Sequence, residues 1–276
     1  MTNPRALAQA CLLESIVWDK LAQTQIAGHA IAAAEHWCDE PNNPPVHRVP
    51  IPGRPERPEL VAPNQLTQRK LNSIDGRAAL IHAVAHIEFN AINLAWDAVY
   101  RFPGMPAAYY RDWASVAVDE ARHFALLAER LAQLGYAYGD FPAHNGLWQM
   151  ALVTDHDPLI RMALVPRVLE ARGLDVTPGM IDRLLKVGDT QTVAVLQVIL
   201  AEEVRHVEIG SRWFAYLCRT RNLPAAETFL ELVRSHPAAR PRLPMNQVAR
   251  LAAGFDAIEL HALQQLAQAN AIFSGT

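Results

Sequence analysis

The sequence predicts an all-α protein organised around a four-helix bundle. Long apolar runs recur at i, i+3 and i+4, the period of a helix with one buried face, and no segment sustains the alternation of a half-buried strand. The composition agrees: 51% of the 276 residues are hydrophobic and 19% charged, enough apolar material to bury a sizeable core.

Residues 4–37 carry helical spacing and read as two short helices. Residues 41–63 are proline-rich, and proline lacks the N–H that helices and sheets require, so this stretch is an extended connector or a strap across the domain. Ser73 is the expected N-cap of a first long helix reaching about Tyr100, which FPGMP (102–106) ends. A second runs from about Ala107 to Leu134 and stops at Gly135, and residues 136–146 read as a loop. Asp157-Pro158 starts a third helix, a cap followed by proline in the first turn, which should end at Gly173. Thr177-Pro178 then restarts a short helix to about Val187, and Asp189 opens a long helix to about Arg221. The tail holds a short helix, a proline-rich bend at 237–244 and a last helix near 246–270. The expected organisation is residues 1–72 as N-terminal helices plus strap, 73–221 as the bundle, and 222–276 as a C-terminal helical extension.

Bulk properties exclude several classes. A net charge of −3 without a basic block argues against a nucleic-acid partner. The three cysteines, Cys11, Cys38 and Cys218, form no CxxC pair and suit a reducing compartment. Glu14 and Asp19 interrupt the N-terminal apolar run, so it is read as neither signal peptide nor membrane span. No uninterrupted apolar run of about 18 residues occurs, and the expected location is cytoplasmic.

Two motifs carry chemistry: Asp119-Glu120-Ala121-Arg122-His123 and Glu202-Glu203-Val204-Arg205-His206. In each, a Glu and a His three residues apart share one helix face and can reach one ion. Glu88 and Glu170 lie on apolar stripes of the other two helices. All six, Glu88, Glu120, His123, Glu170, Glu203 and His206, stand where apolar residues are expected. An isolated buried carboxylate costs several kcal/mol, on the order of the penalty for a buried ion, so cations are needed to offset them. Glu88 and Glu120 are 32 residues apart and Glu170 and Glu203 33, as though one helical hairpin occurred twice. Two such hairpins packed face to face would supply four carboxylates and two imidazoles. That donor set favours iron or manganese over zinc, and a dinuclear site.

This arrangement resembles the ferritin-like di-iron and di-manganese carboxylate proteins. DEARH and EEVRH are similar to the motifs of di-iron monooxygenase hydroxylases. More closely, residues 53–210 resemble the ferritin-like family known as domain of unknown function 455. The matching stretches are PGRPERPEL (52–60), HAVAHIEFNAINLAWD (82–97), DEARHF (119–124), VLEARGLDVTPGM (168–180) and AEEVRHVEIG (201–210). The resemblance implies two iron ions, with manganese or a mixed pair as alternatives. In it Glu120 and Glu203 bridge, and Glu88 and Glu170 are terminal or bridging. Asp119 would orient His206 and Glu202 would orient His123, although Glu202 is one methylene longer than the aspartate the motif calls for. Arg122 and Arg205 would pair with carboxylates behind the metals. The implied activity is an oxidoreductase activating O2 or peroxide, such as a hydroxylase of an organic small molecule fed by an external electron donor. The alternatives are an iron- or peroxide-handling protein and a non-catalytic metal clamp. Two features stay open: whether the face bearing His82, His86, Asn90, Asn93 and Asp97 is solvated or covered by the strap, and whether the aromatic group of Trp96, Tyr100, Tyr109, Tyr110 and Trp113 does more than pack.

Overall fold

The computed structural model describes residues 2–37 and 45–274. Cys38 and residues 41–44 of the proline-rich segment lie outside the described residues. Among those described, helices account for the regular structure, and extended pairing is confined to isolated bridges such as Leu60 with Ala143. The chain forms two compact units, Met1–Leu152 and Val153–Thr276.

The first unit contains α1 (Pro4–Leu13), α2 (Val17–Ala33), α3 (Ile74–Arg101), α4 (Ala107–Gln133) and α5 (Gly146–Val153). Ser73 caps α3 as expected, its Oγ accepting from Gly76 N at 3.0 Å. α4 ends at Gly135, whose φ of +84° is accessible without strain only to glycine, and Tyr136 N donates back to Leu131 O to close the last turn. α3 and α4 form a hairpin; α1 packs on α3 and α2 on α4. From Glu88 to Arg101 every residue of α3 is buried. By length and composition α3 could cross a membrane, but 78% of its most apolar window is buried inside the protein. It also buries polar groups that lipid would not satisfy, including the Asp97–Arg101 ion pair at 2.6 Å. The aromatic group of α3 and α4 is core: Trp96, Tyr100, Tyr109 and Trp113 are at most 2% exposed.

The strap is seated rather than loose. Gly53 N donates to Leu12 O at 2.8 Å, Trp148 Nε1 to Pro50 O at 3.1 Å and Val61 N to Ala143 O at 2.8 Å. It runs beside the polar face of α3, where His82, Asn93 and Asp97 are at most 1% exposed. The face left open by the sequence is therefore buried.

The second unit contains α6 (Pro158–Leu164), a π-helical turn (Val165–Glu170), α7 (Ala171–Lys186), α8 (Thr190–Thr220), α9 (Ala225–Ser235), α10 (Gln247–Ala252) and α11 (Ala257–Ser274). Asp157 and Asp189 cap α6 and α8, accepting from Leu159 N at 2.8 Å and Thr192 N at 3.0 Å. Three expectations need correction. The break at Gly173 and restart at Pro178 do not occur: α7 runs through both. Pro178 cannot donate to Leu174 O, and that carbonyl instead accepts from Asn246 Nδ2 at 3.2 Å, so the helix survives its proline. α5 was not anticipated. The last helix is two, divided at Gly254, whose φ is +84°.

Gly210 of α8 lies against Pro166 of the π turn, where an added Cβ would come within 2.3 Å of the proline ring. That ring cannot rotate away. Gly210→Ala is expected to destabilise the protein by about 1–3 kcal/mol despite alanine's better helix propensity. Gly173→Ala, with nothing within 4 Å of its Cβ, is the matched control and should gain up to about 1 kcal/mol in denaturant unfolding. Equal responses would contradict the close approach.

Candidate metal centre

The helical period places the ligands. On α4, Trp113, Val116, Glu120, His123, Leu127 and Leu131 make one stripe, and all are buried. On α3 the same periodicity turns Glu88 inward, leaving it 4% exposed. Glu120 and His123 are 0% exposed, so three ionisable groups occupy one apolar interior.

These three converge. One ligand atom from each of Glu88, Glu120 and His123 lies within 4.8 Å of the others. His123 Nδ1 donates to Glu88 Oε2 at 3.2 Å and stands 3.4 Å from Glu120 Oε2. Burial alone would hold this imidazole neutral. Hydrogen bonds and charge from Glu120 and Glu88 outweigh that effect and push its pKa up to about 11. Two buried carboxylates and an imidazole suit a hard or borderline divalent ion.

The second unit repeats half of this pattern. Leu196, Ile199, Glu203, His206, Gly210 and Trp213 form the buried stripe of α8, and His206 Nδ1 stands 3.4 Å from Glu203 Oε1. Glu170 is half-buried at the end of the π turn. That turn adds a residue to the helical register and so resets which way Glu170 faces, a change no 3.6-residue reading contains.

The neighbours of the ligands are more exposed. Arg122 pairs with Asp119 on its own helix at 3.3 Å, its side chain 42% exposed, and Arg205 is also exposed. Asp119 and Glu202 are half-buried. Phe89 and Phe124, next in sequence to Glu88 and His123, meet at 5.6 Å between ring centroids, and both rings pack against Tyr138.

The polar face of α3 that the sequence left open contributes His86, Asn90 and Asn93 to a pocket on the other side of the helix; Tyr138, from the loop after α4, is the lining residue the sequence did not single out.

A family model described as "Protein of unknown function (DUF455)" matches residues 13–261. The chain belongs to that family. A relative, a Haemophilus influenzae protein described as uncharacterized, is 45% identical over 221 residues, covering 78% of this chain and 77% of its own. No solved structure matches the chain.

Proposed function

We propose that this DUF455 protein is a ferritin-like metalloprotein that binds two metal ions, iron in the leading reading, through Glu88, Glu120, His123, Glu170, Glu203 and His206. Its function is that of an oxidoreductase using O2 or peroxide, with hydroxylation of an organic small molecule as the specific reaction and an external donor supplying electrons. The observation that carries the reading is the buried His123 between two carboxylates. The Glu203–His206 pair on α8 repeats the α4 spacing and supports a second half-site.

Bound iron would supply redox chemistry toward O2 or peroxide at this site. The chain's own residues do the rest. Glu88 and Glu120 offer negative charge that needs no reorganisation, because their helices hold them in place. His123 gives up its Nδ1 proton when a cation is bound. Asp119 and Glu202 serve as orienting carboxylates for the imidazoles, and Arg122 and Arg205 balance those carboxylates.

The test is elemental analysis of natively purified protein. About two ions per chain are expected, by the ligand count of this protein class, and their loss in the Glu120→Ala, Glu203→Ala double variant. A wild type that takes up no transition metal on anaerobic reconstitution sinks the proposal, as does a variant that keeps its metal. Optical spectra after O2 exposure then test the activity. A transient band that decays faster with an organic substrate supports oxygenation. Iron uptake far above two per chain indicates iron handling instead, and a spectrally inert metal indicates a structural clamp.

A further inference from the structure

A second site lies in the first unit, between α3 and the strap. The pocket has about 270 Å³ of empty space, part of it open to solvent, and is lined by Arg54, His86, Asn90, Asn93, Tyr138 and Asn145 together with strap prolines. That figure counts open solvent; the closed part has room for about one water-sized group, such as a single oxygen atom of a ligand whose remainder lies toward solvent. Its roof is preformed. At Gly53 an added Cβ would fall 2.1 Å from Glu14 O, so the strap lies directly on the end of α1.

The donor inventory points to an acceptor. Lys20 Nζ donates to Asn93 Oδ1 at 2.8 Å, which fixes the amide with its oxygen toward the lysine. Its Nδ2 group is then a buried donor with no acceptor among the described residues, on a side chain 1% exposed. Leaving such a donor unsatisfied costs about 1–3 kcal/mol, so the position calls for an occupant. His86, Tyr138 and Asn90 are already committed. His86 Nε2 donates to the His144 carbonyl at 3.1 Å, and His86 Nδ1 accepts from the Tyr138 hydroxyl at 2.8 Å. Asn90 Nδ2 donates to His86 O at 2.8 Å.

Charge selects the kind of acceptor. Arg54 is the only ionised side chain that lines the pocket, and none of the lining residues is acidic. Its guanidinium donates to the adjacent Pro55 O at 3.3 Å through Nη1, and its charge is felt at Tyr138. Nη2 and Nε add donors in the planar fork that matches an oxyanion.

We infer that this pocket binds the oxyanion group of a small molecule, a carboxylate or a phosphate, with Asn93 Nδ2 and the Arg54 guanidinium as its donors. The inference is independent of the metal ligands.

Calorimetric titration of the full chain with acetate, and separately with inorganic phosphate, at fixed ionic strength tests it. Saturable binding of one or both is expected, and the tighter of the two identifies the group. Acetamide, the neutral isostere of acetate, should bind at least tenfold more weakly, on the scale of one charge-assisted hydrogen bond. Asn93→Asp keeps the side-chain shape and the Lys20 contact but replaces the donor with an acceptor. It should abolish binding while leaving the melting temperature unchanged or higher. Arg54→Gln should weaken binding about tenfold or more. Three results would overturn the inference: no binding of either anion to the wild type, acetamide binding as well as acetate, or undiminished binding in Asn93→Asp. The last would also place any anion uptake elsewhere, including at bound metal.

Discussion

Lys20→Met is expected to destabilise the protein by about 2–6 kcal/mol at pH 9.5, and by much less below pH 7. Lys20 is 0% exposed, and its Nζ donates to Cys11 O at 2.6 Å, Leu12 O at 3.3 Å and Asn93 Oδ1 at 2.8 Å. Cys11 and Leu12 belong to the last turn of α1, whose carbonyls have no partner within the helix. The lysine of α2 therefore closes the end of α1 and ties it to α3. Leu12 O keeps Gly53 N as a donor in the variant, whereas Cys11 O and Asn93 Oδ1 lose theirs. Two orphaned buried acceptors at about 1–3 kcal/mol each set the magnitude.

The pH dependence follows from the direction of the Lys20 shift. Burial lowers its pKa from 10.5 to about 7, against smaller opposing effects of Cys11 and Glu14. Between those values the unfolded chain binds more protons than the folded one, so wild-type stability rises with pH across that window. The methionine variant has no such group. The difference between the two should therefore widen from pH 6.5 to pH 9.5 in urea titrations. A gap that stays constant or narrows would mean the ammonium is not desolvated in the fold.

The same residues show why the sequence revealed some features and hid others. The stripes of α4 and α8 that carry the candidate ligands were legible because a helix imposes its period locally: Glu120, His123, Glu203 and His206 stand at core positions whatever packs against them. Caps at Ser73, Asp157 and Asp189 were legible for the same reason, since a capping side chain acts within three residues. Continuity through Pro178 was not, because the group that compensates it, Asn246, lies in the tail. α5 runs only from Gly146 to Val153 straight after a loop, too short a stretch for a helical period to show. Glu170 was placed by assuming an α-helix, and the π turn alters that register. The polar face of α3 could be read as solvated or covered because the covering element is the strap, whose docking on Leu12 and Ala143 is non-local. Local rules specify which residues share a face, while the partner that covers the face comes from distant chain.

Arg167→Met is expected to cost about 3–5 kcal/mol, the scale for breaking a buried ion pair from one side. Arg167 is 2% exposed on the π turn, and its guanidinium lies 4.0 Å from the Phe229 ring centroid, 4.5 Å from Phe255 and 4.9 Å from Phe214. Its Nη2 donates to Glu259 Oε2 at 2.8 Å. One side chain thus joins the π turn to α8, α9 and the first turn of α11. Burial lowers the Arg167 pKa and the charge of Glu259 opposes the shift, so the pair stands or falls together. Methionine fills much of the volume but leaves Glu259, 4% exposed, without its counter-charge. Asp256 N still donates to Glu259 Oε2 at 3.0 Å, which limits the loss without removing it. Arg167→Lys keeps the charge but forfeits the flat stacking surface and should cost about 1–3 kcal/mol. The Arg167→Met, Glu259→Leu double variant should recover much of the single-variant loss, because two apolar side chains leave no buried charge. Non-additivity of that sign in denaturant unfolding identifies the ion pair as the element that fixes the turn. Strict additivity would instead assign the stability to the aromatic cage alone. The same turn carries Glu170, so under the proposed metal site the single variant would also lose metal, and the double variant would regain it only if the turn itself is restored.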